Sequence, residues 1–388
     1  MQSTVIVTCA LAVAALIGRL AVGDGDAKRA PDASIEVSTM QHATGRPWKP
    51  RGVFVSDERL ATLKLRIAHR VEPTWSAWLR LKNQADDALN ATPHAMRRWH
   101  VPGYYRDADG HRAAKNGLRD DANRSYTLAL AFRMTDDPRY ARAAVRLIDA
   151  WPATIEQMST KADSTLSFSY HFPAIIFAAD LLEPFDGWPI ERRRAFRAFV
   201  RDRALPMNTM QGTNNWGNWG LVLASSCASY LGDRDLFKAC AARWKELLAT
   251  QVAPDGHLPH EVNRNEGRHG IWYSHFCLMP QTLAAEILRL GGVDLYDYRT
   301  PDTNRTMKLA FDRLAPWVSR PETFPYWTGD PDDLVGVGYY AYFELLNARW
   351  PNTDATGLLA KSRPMNAQHS TPHLTFTHGE LRDDAPDN

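Results

Sequence analysis

The sequence predicts an all-α protein, an incomplete α/α toroid of about a dozen helices, and three observations support this. Apolar residues recur with the period of amphipathic helices over most of the chain, and Gly, Pro, Asp or Asn bounds each stretch. Strand-like alternation is nearly absent. A unit of helix, tight acidic turn and helix also recurs: residues 126–134 and 139–151 flank Thr-Asp-Asp-Pro, and residues 219–230 and 236–248 flank Leu-Gly-Asp-Arg-Asp. Antiparallel helix pairs of this kind build an α/α toroid.

The helices can be assigned in chain order from their apolar positions. The periodic positions and stretches are Leu60, Leu63 and Ile67; Trp78, Leu81, Ala85 and Leu89; Tyr126, Leu130 and Phe132; Ala144, Leu147 and Ile148; and residues 174–182, 192–200, 219–230, 236–248, 283–290, 307–318 and 337–348. In a toroid the loops converge at one end of the inner helices, so long polar loops line the site. Two such loops are residues 99–106 and 254–268.

The two ends of the chain differ from this helical middle. Within residues 1–23, an apolar run over residues 5–17 is followed by the small residues Ala21-Val22-Gly23, which indicates a secretory signal peptide, with an uncleaved anchor as the alternative. Residues 24–50 have the composition of a disordered linker, residues 51–365 form the predicted toroid, and residues 366–388 form a C-terminal tail. In the tail, Leu374, Phe376 and Leu381 could pack as a terminal strap. We expect a periplasmic or secreted protein with no integral membrane domain after cleavage.

Composition excludes several partner classes. The 388 residues carry 46 basic and 44 acidic side chains, a near balance that argues against nucleic acid as a partner. Carboxylates and histidines do not cluster at metal-ligand spacing, so we expect no metal and no cofactor. Without the predicted signal peptide, three cysteines remain, without CxxC spacing, and they are expected to be small buried residues. A monomer is expected.

The segment from Glu261 to Phe276 concentrates cations, imidazoles and a phenol. It contains Arg264, Arg268, His269, Tyr273 and His275. A phenol among cations can remove a weakly acidic proton beside a carboxylate, while the cations stabilise the developing negative charge and lower the pKa of the phenol. Unpaired cations are costly to bury, and an acidic ligand would offset that cost. The alternative is a solvated helix start in which Glu261 and Glu266 pair with the arginines.

Two further segments carry polar groups near predicted helix starts. Asn214-Asn215-Trp216-Gly217-Asn218-Trp219 opens the helix over residues 219–230, where free N–H groups favour a carboxylate, although Asn214 or Asn215 could simply cap the helix. Ser167-Phe168-Ser169-Tyr170-His171-Phe172-Pro173 precedes another helix. There a neutral His171 can contact a substrate or serve a structural role.

At these residues the chain resembles the alginate lyase family of polysaccharide lyases, enzymes with an incomplete α/α toroid. Members carry an Asn-Asn-His-Ser-Tyr-Trp motif and a Leu-Pro-x-Glu motif followed by arginines and Tyr. The matching segments here are Asn214 to Trp219 and Leu258-Pro259-His260-Glu261 with Arg264 and Tyr273. The resemblance is best over residues 214–327, with weaker support at residues 101–105, 121–126 and 170–173.

The resemblance implies β-elimination at a 4-linked uronic acid in an acidic polysaccharide. Asn215 and Arg264 would neutralise the uronate carboxylate, and Tyr273 would act as base and acid. Trp216 stands at the position of the motif histidine, so His171 is the first candidate for the active-site histidine, with His269 and His275 behind it, and Arg268 competes with Arg264. The expected substrate-binding residues are Trp216, Trp219, Tyr105, Tyr104, Tyr170, Asn214, Glu261, His269 and His275. The polymer, whether glucuronan or alginate, and endo or exo action stay open.

Two other functions compete with this interpretation. An α/α-barrel glycoside hydrolase would use a pair of carboxylates, for which Glu261 and Asp180 are available. A non-catalytic polysaccharide-binding protein would instead use an aromatic platform. Its members would be Trp99, Tyr104, Tyr105, Trp216 and Trp219.

Overall fold

The computed structural model describes residues 48–367 and 369–379. The predicted signal peptide, residues 24–47 of the predicted linker and Leu381 lie outside the described residues. Among the described residues, no helix has both the length and the apolar character needed to cross a membrane.

The described residues form fifteen α-helices and one short pair of strands, which confirms the all-α prediction. The helices are α1 (Asp57–Ala68), α2 (Thr74–Ala88), α3 (Ala108–Thr135), α4 (Pro138–Thr154), α5 (Ser164–His171), α6 (Pro173–Leu181), α7 (Ile190–Phe199), α8 (Asn215–Leu231), α9 (Arg234–Gln251), α10 (Gly270–Leu290), α11 (Met307–Leu314), α12 (Pro316–Ser319), α13 (Phe343–Arg349), α14 (Thr353–Ser362) and α15 (Leu374–His378). A π-helical turn (Val200–Ala204) and 3₁₀ turns (Leu205–Met207, Pro321–Thr323, Pro331–Asp333 and Val337–Tyr340) connect them. The strands β1 (Arg98–Trp99) and β2 (Gln157–Met158) pair in parallel.

Helices α8, α9 and α10 show how the toroid is built. Asn215 at the start of α8 bonds to Glu261, in the loop before α10, and Asn218, one turn further along α8, donates to the carbonyl of Cys277 within α10. The two helices therefore run parallel, with their N-termini at the same end. The outer helix α9 returns between them, and Trp244 donates from it to the Gln281 carbonyl of α10. Inner helices in parallel with outer helices returning between them are the arrangement of an α/α toroid.

Several helices begin earlier than their apolar period indicates. Helix α3 starts at Ala108 because Asp107 accepts a hydrogen bond from the Gly110 amide, and its first turns carry polar residues that the period does not reveal. Helix α10 starts at Gly270, well before residue 283. Helix α5 was not predicted, so His171 ends one helix and also lies just before the predicted next one, α6.

Both predicted boundaries of the helical domain need correction. Trp48 belongs to the fold and not to a linker, because its indole packs on Phe237 and donates to the Gly291 carbonyl. At the other end, residues 369–379 are not a loose tail. Leu374 and Phe376 are 1 % exposed, and α15 packs against α2 and α13, as expected for a strap.

Candidate active site

The N-terminal turn of α8 presents an asparagine side chain next to a buried carboxylate. Asn214 is the helix cap, since its side-chain oxygen accepts from the Trp216 amide, which confirms the capping alternative for this residue. Asn215, the first helical residue, is buried and turns both its backbone N–H and its Nδ2 toward Glu261 Oε1, each at 2.9 Å. Its Oδ1 is enclosed and has no hydrogen-bond partner among the described residues.

Glu261 connects the asparagine to an arginine. Its side chain is fully buried, and its second oxygen accepts from Arg264 Nε at 3.1 Å. Burial raises the pKa of Glu261, and the hydrogen bonds from Asn215 and Arg264 offset only part of that effect. The expectation that Glu261 binds substrate directly is therefore wrong for this conformation, because the carboxylate is enclosed and its oxygens are already bonded. It positions Asn215 and Arg264 instead.

Tyr273, in the first turn of α10, packs against the guanidinium of Arg264. The guanidinium carbon of Arg264 is 5.0 Å from the centre of the tyrosine ring, within cation–π range. The Tyr273 hydroxyl is 2.7 Å from the hydroxyl of Tyr105, which comes from the loop between β1 and α3. Burial, and then this hydrogen bond, raise the pKa of Tyr273 and outweigh the opposing effect of Arg264. The predicted lowering of this pKa by nearby cations is thus wrong, because desolvation of the phenol dominates.

The loop before α10 directs its two arginines to different places. Asn265, Glu266 and Gly267 have φ values of +51°, +56° and +94°, so this turn passes through left-handed backbone, which is strained for the first two. Beyond it, Arg268 extends outward and lies 3.7 Å from carboxylates of both Asp330 and Asp333. Arg264, and not Arg268, is therefore the arginine that contacts Tyr273.

The loop that carries Tyr104 and Tyr105 is held by an aspartate from the segment before α5. Asp163 accepts from the Tyr104 amide at 2.8 Å and lies 3.2 Å from His111 Nδ1. Both tyrosines are exposed, with 40% of Tyr104 and 73% of Tyr105 accessible, as a substrate-binding role requires. The sequence shows that the loop is aromatic but not that it reaches Tyr273.

The predicted histidines lie at different depths. His171 is 1 % exposed, and both its ring nitrogens are enclosed without a hydrogen-bond partner among the described residues. Its ring stacks at 5.7 Å on His369, a residue of the C-terminal segment that the sequence did not indicate. Tyr170 packs against both rings and is buried, so it lines the wall instead of an open surface. Burial lowers the pKa of both histidines, which favours their neutral forms.

Two predicted substrate contacts belong to the core. Trp219 is fully buried and packs on Phe276 and His369. His275 is also fully buried, its Nδ1 lies 2.8 Å from the Tyr342 hydroxyl, and burial lowers its pKa to about 3. Both assignments are corrected for the same reason: each side chain is enclosed by core residues, and His275 packs on Tyr340 and Phe343.

Trp216 and His269 lie at the edge of the site. Both are partly exposed, and the His269 ring packs on Trp272 and Tyr273 at 5.8 Å and 6.4 Å.

Within the described residues, no group of three or more His, Cys, Asp or Glu side chains could hold a metal ion. Cys227, Cys240 and Cys277 are free and buried.

Comparisons with known proteins agree with this geometry. The family model described as alginate lyase matches residues 71–324. No curated protein matches the sequence significantly. Among solved structures, alginate lyase A1-III from Sphingomonas species A1 superposes with a TM-score of 0.70 at 18% identity, covering 86% of this chain and 97% of its own.

Two further solved structures are similar. A histidine-to-alanine variant of alginate lyase A1-III, complexed with a tetrasaccharide, gives a TM-score of 0.72 at 17% identity, covering 87% of this chain and 98% of its own. An alginate lyase from Bacteroides ovatus gives 0.67 at 18% identity, covering 85% and 99%. At such identities the likeness establishes the fold, whereas the family model spans more than half of the chain. The chain therefore belongs to the alginate lyase family and is a polysaccharide lyase.

Proposed function

We propose that the protein cleaves a 4-linked polyuronate by β-elimination and leaves an unsaturated uronate at the new non-reducing end. The observation that supports this most directly is the position of the Tyr273 phenol, beside the Arg264 guanidinium and the Tyr105 hydroxyl. Alginate is the first candidate polymer, because the family and the similar structures are named for it. Glucuronan is the second, since the departures from the family motif at Trp216 weaken the case for alginate itself.

The first step is neutralisation of the uronate carboxylate. The C5 proton becomes acidic enough to remove only when the negative charge of the neighbouring carboxylate is masked. Arg264 supplies the masking charge, and Asn215, held by the same carboxylate, is the candidate for a second N–H donor. Glu261 takes one N–H of each side chain and thereby fixes their orientation before substrate arrives. Such preorganisation lowers the cost of stabilising the enolate-like transition state.

The second step moves one proton from carbon to oxygen. The C5–H bond breaks, its electron pair forms the C4=C5 double bond, the C4–O4 bond breaks, and a proton is delivered to O4. Tyr273 takes the C5 proton and returns it to the leaving oxygen, a kind of transfer that contributes about a hundred- to ten-thousand-fold. The sugar must replace Tyr105 as the neighbour of the Tyr273 hydroxyl before this transfer can occur.

The competing functions are less well supported. A hydrolase needs two carboxyl groups facing the scissile bond. Asp180 is enclosed in α6 and accepts from the Val53 amide at 2.8 Å, whereas Glu261 is bonded to Asn215 and Arg264. A binding platform loses two of its proposed members, because Trp99 and Trp219 are at most 1 % exposed.

The test is ultraviolet absorbance of the C4–C5 double bond while alginate, polymannuronate, polyguluronate and glucuronan are each supplied. We expect absorbance to rise with at least one polymer and to be lost with Tyr273→Phe, which keeps the ring and removes the hydroxyl. Tyr298→Phe is the matched control, because Tyr298 also lies under a cation, with Lys245 Nζ 4.9 Å from its ring centre. New reducing ends without absorbance would identify a hydrolase, and unchanged turnover by Tyr273→Phe would refute the assigned role.

Secretion and a monomeric state remain parts of the proposal. Residues 1–23 carry the secretion prediction and lie outside the described residues. The N-terminal sequence of the mature protein and its mass in solution would test these two expectations.

A further inference from the structure

Lys115 of α3 is a partly buried cation that the mechanism above does not use. Its Nζ lies 5.6 Å from the centre of the Tyr170 ring, and among the described residues it has no ion pair. Asp163 is near enough to interact with it, but that carboxylate is already engaged by His111 and the Tyr104 amide. Burial, followed by repulsion from Arg119, lowers the pKa of Lys115 to about 8. A desolvated ammonium in this position favours an anionic partner.

The stacked pair of His171 and His369 packs against the same Tyr170 ring, and the Lys115 charge is close enough to act on both imidazoles. The Tyr170 ring is 4.4 Å from the His171 ring and 4.6 Å from the His369 ring. Both nitrogens of His171 and Nδ1 of His369 are enclosed without a hydrogen-bond partner in the described part of the chain. This leaves Nε2 of His369 as the nitrogen through which the pair can meet a ligand. A neutral imidazole with an unmet donor is suited to a carboxylate oxygen.

The same group lies close to the proposed reaction centre. His369 contacts Phe276 at 5.3 Å, and Phe276 contacts Tyr273 at 6.5 Å. Asp163, which interacts with Lys115, also bonds the Tyr104 amide in the loop that brings Tyr105 to Tyr273. Only the Phe276 ring therefore intervenes between His369 and Tyr273, a separation within the length of a short oligosaccharide.

We propose that Lys115 and His369 form a second carboxylate subsite, which binds a uronate residue adjacent to the one that is cleaved, with Tyr170 as its floor and His171 as the positioning residue behind it. This rests on the proposed function, since it takes the ligand to be a polyuronate. The subsite predicts that the protein binds longer oligouronates more tightly than short ones. A short oligouronate that fills only the reacting subsite gains nothing from Lys115, whereas a longer one places a second carboxylate beside it.

Calorimetric titration of inactive Tyr273→Phe protein with dimers and tetramers of mannuronate, guluronate and glucuronate tests the subsite. We expect Lys115→Met, added to that protein, to weaken tetramer binding about tenfold or more, as loss of a charge-assisted contact does. Dimer binding should change little. Lys245→Met is the matched control, because Lys245 also lies over a tyrosine ring, at 4.9 Å, and is partly exposed on α9. It should leave both affinities unchanged.

The pH dependence of tetramer affinity distinguishes a lysine that binds the ligand from a merely structural one. The groups that face Lys115 are Arg112, Arg119, Asp163, Tyr170, His171 and His369. Because the pKa of Lys115 is lowered to about 8, the lysine loses its charge as the pH rises through that value, and affinity for an anion should fall with it. Lys115→Arg stays charged and should bind the tetramer without this fall.

Each proposal can fail separately. Tetramer affinity unchanged in Lys115→Met, while wild-type protein yields unsaturated products, would overturn the subsite alone. An equal loss for dimer and tetramer would place Lys115 in the reacting subsite and also overturn it. If no polyuronate yields unsaturated ends but tetramers bind in a Lys115-dependent way, the subsite stands and the proposed reaction falls. His369→Gln should reproduce part of the tetramer loss, and an unchanged affinity would remove His369 from the subsite.

Discussion

Glu261→Gln should separate stability from activity. In the native structure, Glu261 Oε1 accepts both Asn215 N–H groups and Oε2 accepts from Arg264 Nε. Glutamine keeps one acceptor oxygen for Asn215 but presents its NH₂ group to the guanidinium. The NH₂ group and the guanidinium are both donors, so the bond to Arg264 is lost. Arg264 Nε then keeps only its bond to the His260 carbonyl, at 3.2 Å, and the guanidinium is held less firmly over Tyr273.

The magnitude follows from these contacts. One charge-assisted hydrogen bond is worth about 1.5–3 kcal/mol. The variant also removes a buried carboxylate whose pKa is raised, so the fold disfavours its charged form, and this gain offsets the lost hydrogen bond. We therefore expect the free energy of unfolding near neutral pH to change little. Transition-state stabilisation should fall by about 2 kcal/mol, or about thirtyfold in kcat/KM, because Arg264 is held less firmly over Tyr273.

A second buried Glu–Arg pair with the same spacing provides the control. Glu286 accepts two hydrogen bonds from Arg289 and lies in α10, far along the helix from Tyr273. Although burial acts in the opposite direction, hydrogen bonds from His378 and Arg289 hold the pKa of Glu286 well below its usual range. Glu286→Gln should therefore lower the free energy of unfolding by about 3–5 kcal/mol, as removal of one partner of a buried ion pair does.

Chemical denaturation and initial rates of double-bond formation would measure both effects. The expected pattern is a reciprocal one: Glu261→Gln loses turnover and keeps stability, and Glu286→Gln loses stability and keeps turnover per folded molecule. If Glu261→Gln destabilised the protein as strongly as Glu286→Gln while the folded fraction stayed fully active, Glu261 would be a structural residue and the positioning argument would be refuted.

Three further outcomes follow from the site and the core. Tyr105→Phe removes a hydrogen bond that raises the pKa of Tyr273, so the limb of the pH–rate profile that reports this phenol should move to lower pH, and an unmoved limb would contradict the contact. Arg264→Lys keeps the charge but cannot bond Glu261 and cover the Tyr273 ring at once, so we expect kcat to fall by about tenfold, measured on the polymer that gives absorbance. Burial raises the pKa of Asp180 to about 6, so its stabilising contribution is full at low pH and is lost as pH rises through 6. Asp180→Asn should remove up to about 3 kcal/mol of this pH dependence of the free energy of unfolding. An identical pH dependence in the variant would refute this expectation.

The sequence predicts the parts of the fold that local pattern determines. Helices with regular apolar spacing, such as α4 and α9, are found close to where the period places them. The start of α3 depends on a cap at Asp107 and carries no apolar stripe, so the period misses it. The strap at residues 369–379 is buried only because α2 and α13 provide a surface for it, which is information that no local window contains.

The candidate site shows the same division. Asn215, Glu261, Arg264 and Tyr273 lie in two short segments that resemble family motifs, and the structure brings them together. The Tyr105 contact joins residues 168 positions apart, and its loop gives no local indication of where it reaches. His275 could have been excluded by helical geometry alone, because a residue two positions after Tyr273 points to the other side of α10.

The resting state of Tyr273 constrains the order of events in catalysis. A phenol whose pKa is raised stays neutral near neutral pH, and a neutral phenol can donate a proton to O4 but cannot accept one from C5. Burial is the largest cause of the raised pKa and the hydrogen bond with Tyr105 is the next, whereas Arg264 acts in the opposite direction. Substrate that exchanges the Tyr105 contact for a sugar, while leaving Arg264 in place, removes one cause that favours the neutral form. The binding step that brings the C5 proton within reach therefore also shifts Tyr273 toward its charged form, and a lyase with this geometry should depend on Tyr105 for the pH at which it works more than for its affinity.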